Sequence, residues 1–276
     1  MRNPPMTARS SLLLLSLAIV VLPFANGRWS VAIAAFAGPA LLLAFTRHAR
    51  HAFLGGWLAT SVACFFWWNG VFPLKGVAYA IASIVFGLIA LLPYLADRAF
   101  APRLHPLLAV LVFPCAVVTL ETVTMLSSPF GSWGAFAYTM FGVPPLVQLA
   151  SIGGLALITF VVTFFASVVN SRSRVAWIAY AIVIGATFAF GSLRLRSSGA
   201  TETVPIAAIT PRIPTYTVRG DVANAPIHAA LQSVRKQQPM SNDAWTAFRT
   251  RAAAINTELL NTTEAEARNG TKLIVW

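Results

Sequence analysis

Long apolar runs, separated by short polar or glycine- and proline-rich breaks, dominate the first 195 residues. A helix that crosses a bilayer needs about 20 mostly apolar residues. Backbone groups in lipid must be hydrogen-bonded within their own segment, so each run predicts a membrane-spanning α-helix. We predict seven spans, at residues 10–25, 29–45, 52–72, 77–96, 106–125, 146–169 and 175–193.

The first run is the shortest, and it follows Arg2 and Arg9 as the apolar core of a signal peptide would. Residues 24–27, Phe-Ala-Asn-Gly, do not form a small-x-small cleavage site, and a second apolar run follows at once. We therefore expect the first helix to be retained.

The pattern changes after the seventh run. Residues 196–203 are a linker rich in Ser, Thr and Gly, and residues 204–209 predict a short strand. A proline-rich turn at 210–214 and a long polar connection follow. The pattern then predicts a helix, which begins after the N-cap residue Ser241 and ends at Asn269-Gly270.

One face of that helix is apolar, with side chains at helical spacing at Trp245, Phe248, Ala252, Ile255 and Leu259. Residues 272–276 predict a second strand, apolar enough to need cover on both faces. We therefore predict a multi-span α-helical membrane bundle over residues 1–195, the linker, and the start of an α/β domain over residues 204–276.

Composition and charge agree with a membrane protein. Apolar residues make up 57% of the chain and charged residues 10%, against roughly 25% charged in soluble domains. The net charge of +12 would suit a nucleic-acid partner, but the positions of the charges argue against one. Arginines cluster before span 1 and after spans 2, 4 and 6, which by the positive-inside rule predicts a cytoplasmic N-terminus and a C-terminal segment on the far side.

The sequence predicts neither a metal site nor a cofactor. Cys64 and Cys115 lie in apolar runs without CxxC spacing, which favours packing residues over a nucleophile or a disulfide. His48 and His51 share a loop with arginines that would repel a cation, and the other two histidines stand alone.

Two features in the membrane region are candidates for function. Glu121 is the only acidic residue within a predicted span, and such residues are costly in lipid and commonly functional. The alternative is a protonated or hydrogen-bonded glutamate that holds neighbouring helices together.

The second feature is the glycine-rich loop at 127–134, which contains Trp133 and continues to Tyr138. It predicts either a re-entrant or interfacial loop or an ordinary aromatic connector.

These parts, in this order, resemble the apolipoprotein N-acyltransferases of the bacterial inner membrane. Glu121, the loop Ser-Pro-Phe-Gly-Ser-Trp-Gly and Tyr138 are similar to the family's pattern around span 5. Residues 146–151, with Gln148, and the later Gly153-Gly154 and Asn170 are similar to its span 6. Residues 204–214 and 269–276 resemble strands of its nitrilase-like domain.

The resemblance implies that a periplasmic nitrilase-like domain follows the membrane bundle. It also implies transfer of an acyl chain from a phospholipid to the N-terminal amine of a diacylated lipoprotein, without a cofactor. The family's catalytic residues are Glu, Lys and Cys, and by resemblance all three would lie beyond Trp276, so we expect the chain as given to be inactive. Glu121, Trp133, Tyr138 and Gln148 are the candidates for contact with lipid or substrate.

Other functions stay open from the sequence. One is a non-enzymatic seven-span protein that binds a partner or transports a solute, although no clear internal repeat supports a transporter. Another is a related membrane-anchored amide hydrolase, because residues 210–214 and Arg219 depart from the family's usual residues.

Overall fold

A computed structural model describes residues 7–70, 72, 74–128, 131–197, 204–209, 232–233, 239 and 241–275. The chain divides into two compact units, Met1–Ser198 and Gly199–Trp276. Most of the predicted linker, the turn at 210–214, the connection that contains Arg219, and Trp276 lie outside the described residues.

All the regular secondary structure among the described residues of the first unit is helical. Its helices are α1 (Ala8–Val21), α2 (Ala32–His48), α3 (Ala52–Trp67), α4 (Gly76–Phe100), α5 (Pro106–Ser127), α6 (Pro144–Val147), α7 (Ala150–Val169) and α8 (Arg174–Ser197). Short 3₁₀ turns cover Leu22–Phe24, Gly27–Trp29, Ala101–Arg103 and Phe136–Met140.

Helices occupy all of the predicted apolar runs, and four of them are long and apolar enough to cross a membrane. These are Gly76–Arg103, Pro106–Ser127, Ala150–Val169 and Arg174–Ser197. The three helices before them, Ala8–Phe24, Ala32–His48 and Ala52–Trp67, are apolar but shorter. The structure is thus a helical bundle with four candidate membrane spans among its described residues, and the crossing of all seven runs stays a prediction.

The sixth predicted run, at 146–169, is not one helix. It contains the last residues of α6, a turn, and α7, which is itself interrupted at Gly153 and Gly154. Gly154 has a φ of 62° and a ψ of −159°, a conformation that residues with a Cβ rarely adopt. The glycine pair therefore bends the segment where the hydropathy pattern predicts a continuous span.

Small residues let neighbouring helices approach closely. A Cβ added at Gly87 in α4 would lie 2.4 Å from Ser61 Oγ and 2.6 Å from Ser61 Cα in α3. At the same crossing, Thr60 Oγ1 donates a hydrogen bond of 2.7 Å to the carbonyl of Gly87. Close backbone approach and interhelical hydrogen bonds are the main sources of attraction between helices in lipid. Large side chains that are almost fully buried fill the centre of the unit, among them Leu42, Leu43, Leu91, Phe113, Met140 and Val162.

A buried polar network joins the ends of α2, α4 and α7. Both oxygens of Asp97 accept hydrogen bonds from Arg47, from Nε at 2.7 Å and from Nη2 at 2.8 Å. Arg47 Nη1 also donates to the carbonyl of Asn170 at 3.0 Å, and Asn170 Nδ2 donates to the carbonyl of Ala40 at 2.9 Å. Asp97 is fully buried within α4. Glu121 is the only acidic residue within the predicted spans, but α4 extends beyond residue 96 and so contains a second acidic residue, Asp97.

Successive connections lie at opposite ends of the first unit. We call one end the arginine-rich end, which comprises the connections 49–51, 101–105 and 170–173 with the helix ends beside them. We call the other the aromatic end, which comprises the described residues of the connections 22–31, 68–75 and 128–149. The Arg47 network crosslinks the first end. At the second, the loop after α5 contacts the connections after α1 and α3.

The second unit contains a strand, a helix and a parallel strand among its described residues. β1 (Ile206–Ala208) pairs in parallel with β2 (Leu273–Val275), with Ile206 opposite Leu273. Between them lies α9 (Asn242–Arg268), and Ser241 Oγ caps it by accepting a hydrogen bond from Ala244 N at 3.3 Å. This order agrees with the prediction from sequence. A complete α/β sandwich stays a prediction.

Candidate functional site

An open pocket of about 280 Å³ lies at the aromatic end. Its walls come from the connections after α1, α3 and α5, and they contain two of the four predicted site residues, Trp133 and Tyr138. The lining residues are Asn26, Gly27, Ser30, Trp68, Trp133, Gly134, Tyr138, Thr139 and Phe141. The pocket is therefore built where three chain segments meet.

Asn26 fixes the floor of the pocket. Its Nδ2 donates a hydrogen bond of 2.9 Å to the carbonyl of Gly134, and its Oδ1 accepts one of 2.7 Å from Gly27 N. Gly27 has a φ of 74°, and a Cβ added there would lie 2.3 Å from the carbonyl oxygen of Trp67. Only glycine fits this position, because both the backbone conformation and the close approach exclude a side chain.

An aromatic cluster supports Trp133. Its ring lies 6.1 Å from the ring of Phe72 at an interplanar angle of 19°, and 6.1 Å from Trp68 at 30°. Phe86 of α4 packs edge-on against Trp68, with ring centroids 4.6 Å apart. Aromatic pairs contribute roughly 0.5–1.5 kcal/mol each beyond the area that they bury. The loop after α5 is thus anchored by ring contacts to the connection after α3, which in turn packs against Phe86 of α4.

Tyr138 combines an apolar ring with a bonded hydroxyl. Its hydroxyl lies 2.7 Å from Ser132 Oγ, across the turn that carries Trp133. Trp133 remains 41% exposed, Tyr138 49% and Phe141 77%. Exposed aromatic rings with polar tips suit the boundary between hydrocarbon and headgroups.

Glu121 lies behind the pocket rather than in its wall. Its Oε1 accepts a hydrogen bond of 2.7 Å from Phe136 N, and its Oε2 accepts one of 2.8 Å from Thr159 Oγ1. The carboxylate therefore joins α5, α7 and the 3₁₀ turn that contains Tyr138. This geometry fits the alternative of a hydrogen-bonded glutamate that holds neighbouring elements, and contact with substrate stays a prediction.

Gln148 is not among the residues that line the pocket. It is partly buried just after α6, and its carbonyl accepts hydrogen bonds from Ser151 N at 3.1 Å and Ser151 Oγ at 2.8 Å. The structure thus brings Trp133 and Tyr138 together, sets Glu121 behind them, and leaves Gln148 outside the pocket wall.

Sequence reasoning missed Asn26 as part of this site, and it singled out Trp68 only within the aromatic run at 65–68, as an aromatic belt or a lipid-entry surface. The signal in Asn26 was its position as a polar residue between two apolar runs. Trp68 belongs to the aromatic run at 65–68, of which Phe65 and Phe66 are 41% and 46% exposed.

The described part of the chain offers no cluster of titratable groups for a metal. Among the described residues, no three of His, Cys, Asp and Glu come together. Cys64 is buried and Cys115 is exposed, and neither forms a disulfide.

Comparison with known proteins gives the family. A family model described as the apolipoprotein N-acyltransferase N-terminal domain matches residues 13–168, more than half of the 276-residue chain. The matched region contains every residue that lines the pocket, together with Glu121 and Gln148. No curated protein matches the chain. The chain therefore belongs to the apolipoprotein N-acyltransferase family, to which its N-terminal region is matched.

Proposed function

We propose that this chain serves lipoprotein maturation, in which an acyl chain moves from a phospholipid to the N-terminal amine of a diacylated lipoprotein. The observation that carries the proposal is the pocket at the aromatic end, which lies within the matched region and presents Trp133 and Tyr138. Both substrates in this proposal are lipids held in a bilayer, so a site for them belongs at the membrane boundary.

The chemistry of the pocket wall suits a lipid. Trp133 and Phe141 offer apolar rings to an acyl chain, while the amide of Asn26 and the hydroxyl of Tyr138 offer polar groups to ester and glycerol oxygens. Ligand sites commonly combine a mostly apolar wall with a few polar groups that fix orientation. We infer that Trp133 and Tyr138 contact the lipid directly and that Glu121 acts through the turn. Gln148 stays a candidate for substrate contact from outside the wall.

The proposed setting is the bacterial inner membrane. Positively charged residues concentrate at the arginine-rich end, which supports a cytoplasmic location for that end. The aromatic end and the second unit would then face the periplasm, and all seven apolar runs would cross the bilayer. The strand–helix–strand of the second unit would form part of a nitrilase-like domain.

The acyl-transfer chemistry would use the family's Glu, Lys and Cys. A cysteine thiolate would attack the ester carbonyl of the phospholipid and release the lysophospholipid, and the lipoprotein amine would then attack the thioester. Glutamate would act as general base, and lysine would stabilise the oxyanion. By resemblance these three residues belong to the nitrilase-like domain.

Photolabelling tests the proposal. The 276-residue chain is reconstituted in liposomes that contain a phospholipid with a diazirine on its acyl chain, and the labelled peptides are identified by mass spectrometry. We expect labels on residues that line the pocket. Trp133→Ala should lower this labelling roughly fivefold, the effect of about 1 kcal/mol lost with an aromatic contact.

Trp177→Ala is the matched control, because Trp177 is 44% exposed and lies in the first turn of α8, at the arginine-rich end. Tyr138→Phe keeps the ring and tests the hydroxyl alone. Labels spread evenly over all lipid-facing helices, or an equal loss in Trp133→Ala and Trp177→Ala, would refute a lipid site at the pocket.

A further inference from the structure

We propose that the arginine-rich end is a second lipid-binding surface, which binds the headgroup of an anionic phospholipid. We define the guanidinium patch as Arg50, Arg98, Arg103, Arg172 and Arg174. The patch lies at the opposite end of the first unit from the pocket, and the inference does not depend on the acyl-transfer proposal.

Carboxylates of the first unit do not neutralise this patch. Residues 1–198 contain twelve Lys and Arg but only two acidic residues, Asp97 and Glu121. Asp97 is fully buried, and both of its oxygens bond to Arg47. Glu121 bonds to Phe136 N and Thr159, in the other part of the bundle. Within this unit, the guanidinium groups of the patch therefore have no carboxylate left to pair with.

Two members of the patch, Arg98 and Arg172, come from separate connections to the same end of α2. Burial lowers the pKa of His48, and the nearby charges of Arg47, Arg172 and Arg98, from three different parts of the chain, lower it further. Arg98 Nη1 donates to the carbonyls of Thr46 and Ala49, which holds Arg98 against the end of α2. The fold holds these positive charges near one another. An external anion is therefore attracted by several of them at once.

The surroundings favour a lipid headgroup over a soluble polyanion. Exposed apolar side chains adjoin the arginines in each connection: Phe53 follows Arg50, Leu104 follows Arg103, and Val175 follows Arg174. They are 46%, 44% and 56% exposed, respectively. Arginine beside exposed apolar residues at a helix end matches the level where headgroups meet hydrocarbon.

Binding to defined lipids tests the inference. The full 276-residue chain in a neutral detergent is titrated with fluorescent short-chain phosphatidylglycerol and, separately, with the corresponding phosphatidylcholine. We expect tighter binding of phosphatidylglycerol, and weaker binding as salt rises because salt screens exposed charges. The double variant Arg172→Gln/Arg174→Gln should lose at least about tenfold in affinity for phosphatidylglycerol, and its affinity for phosphatidylcholine should not change.

A matched control lies on the same helix. Arg194→Gln/Arg196→Gln removes equal charge from the last turn of α8, whereas Arg172 and Arg174 flank its first turn. We expect the control to keep the wild-type preference, and unchanged thermal unfolding of both variants would exclude misfolding. An equal loss in the two double variants, or no preference in the wild type, would show that the arginines serve orientation only.

Competition with soluble anions is the final part of the binding experiment. Inorganic phosphate or glycerol 3-phosphate at millimolar concentration should displace little phosphatidylglycerol, because neither contacts the apolar residues around the patch. Full displacement by inorganic phosphate would reject a lipid site in favour of a general anion site.

Discussion

Glu121 accepts hydrogen bonds from two separate parts of the chain, the backbone of Phe136 and the hydroxyl of Thr159. Glu121 does not line the pocket, but its hydrogen bond to Phe136 N holds the turn that contains Tyr138. A substitution at this position should therefore change lipid binding through the position of the turn. In this role Glu121 is a positioning residue.

We expect Glu121→Ala to lower the free energy of unfolding by roughly 1–3 kcal/mol, because it leaves two donors without an acceptor. Glu121→Gln keeps one acceptor oxygen and should have a smaller effect, as should Thr159→Val, which removes one donor. Thermal unfolding in detergent measures the loss, and pocket photolabelling measures the position of the turn. Rescue of labelling by Glu121→Gln but not by Glu121→Ala would support positioning, whereas wild-type behaviour of Glu121→Ala would contradict it.

Residue type explains which site residues the sequence could reveal. A carboxylate in an apolar helix and a tryptophan in a glycine-rich loop are conspicuous, so Glu121 and Trp133 could be selected without a structure. Asn26 could not, because its partner is a backbone carbonyl 108 residues away at Gly134. A bond to a backbone group imposes no side-chain pattern on the partner segment.

Among the helices, α3 and α4 show how little space separates neighbours. The backbone of Ser61 occupies the position that a side chain at Gly87 would need. Gly185 in α8 is the opposite case, since nothing lies within 4 Å of the position of its Cβ. Both glycines lie within α-helices, but only Gly87 is packed against a neighbouring helix.

Gly87→Ala should force α3 and α4 apart and destabilise the bundle by about 1–3 kcal/mol. Gly185→Ala, the control, should be neutral or stabilising by up to about 1 kcal/mol, because alanine favours helix more than glycine does. Thermal unfolding of the two variants side by side measures the difference. Equal unfolding temperatures of the two variants would mean that α3 and α4 can move apart at Gly87 without loss of stability.

Hydropathy predicts where helices lie better than where they break. The run at 146–169 is apolar throughout, so the sequence predicts one span, but Gly153 and Gly154 leave helical geometry. Helix α9 was predictable over its whole length, because a serine cap, an apolar stripe and a terminal Asn-Gly mark its limits. Local chemistry at both ends defines such a helix, whereas the break in α7 depends on backbone conformation that apolar patterning does not encode.

For the molecule as a whole, the pairing of Arg47 with Asp97 crosslinks α2 and α4 at the arginine-rich end. Charge distribution along the sequence predicted which connections share an end, since each loop carries its own arginines. It did not reveal the buried pair, because Asp97 lies one residue beyond the predicted span and resembles a loop charge. The number of membrane crossings and the α/β sandwich also stay predictions, because the hydropathy pattern of single segments does not determine either of them.

Asp97→Ala should destabilise the bundle by roughly 3–5 kcal/mol, because it leaves the Arg47 guanidinium without its buried partner. The double variant Arg47→Met/Asp97→Leu should recover most of that loss, since apolar side chains of similar size can replace a buried ion pair. Thermal unfolding in detergent compares the two. If the double variant is no more stable than Asp97→Ala, the ion pair itself stabilises the bundle, and apolar side chains cannot replace it.

The three-part wall of the pocket has a consequence for biosynthesis. The wall residues run from Asn26 to Phe141, so no partial chain that stops before the loop after α5 contains the whole wall. A chain that stops after α4 has only part of the wall, because Trp133, which packs against Phe72 and Trp68, has not yet been added. Under the proposed function, lipid would therefore bind at this site only after the first five helices and the following loop have been made.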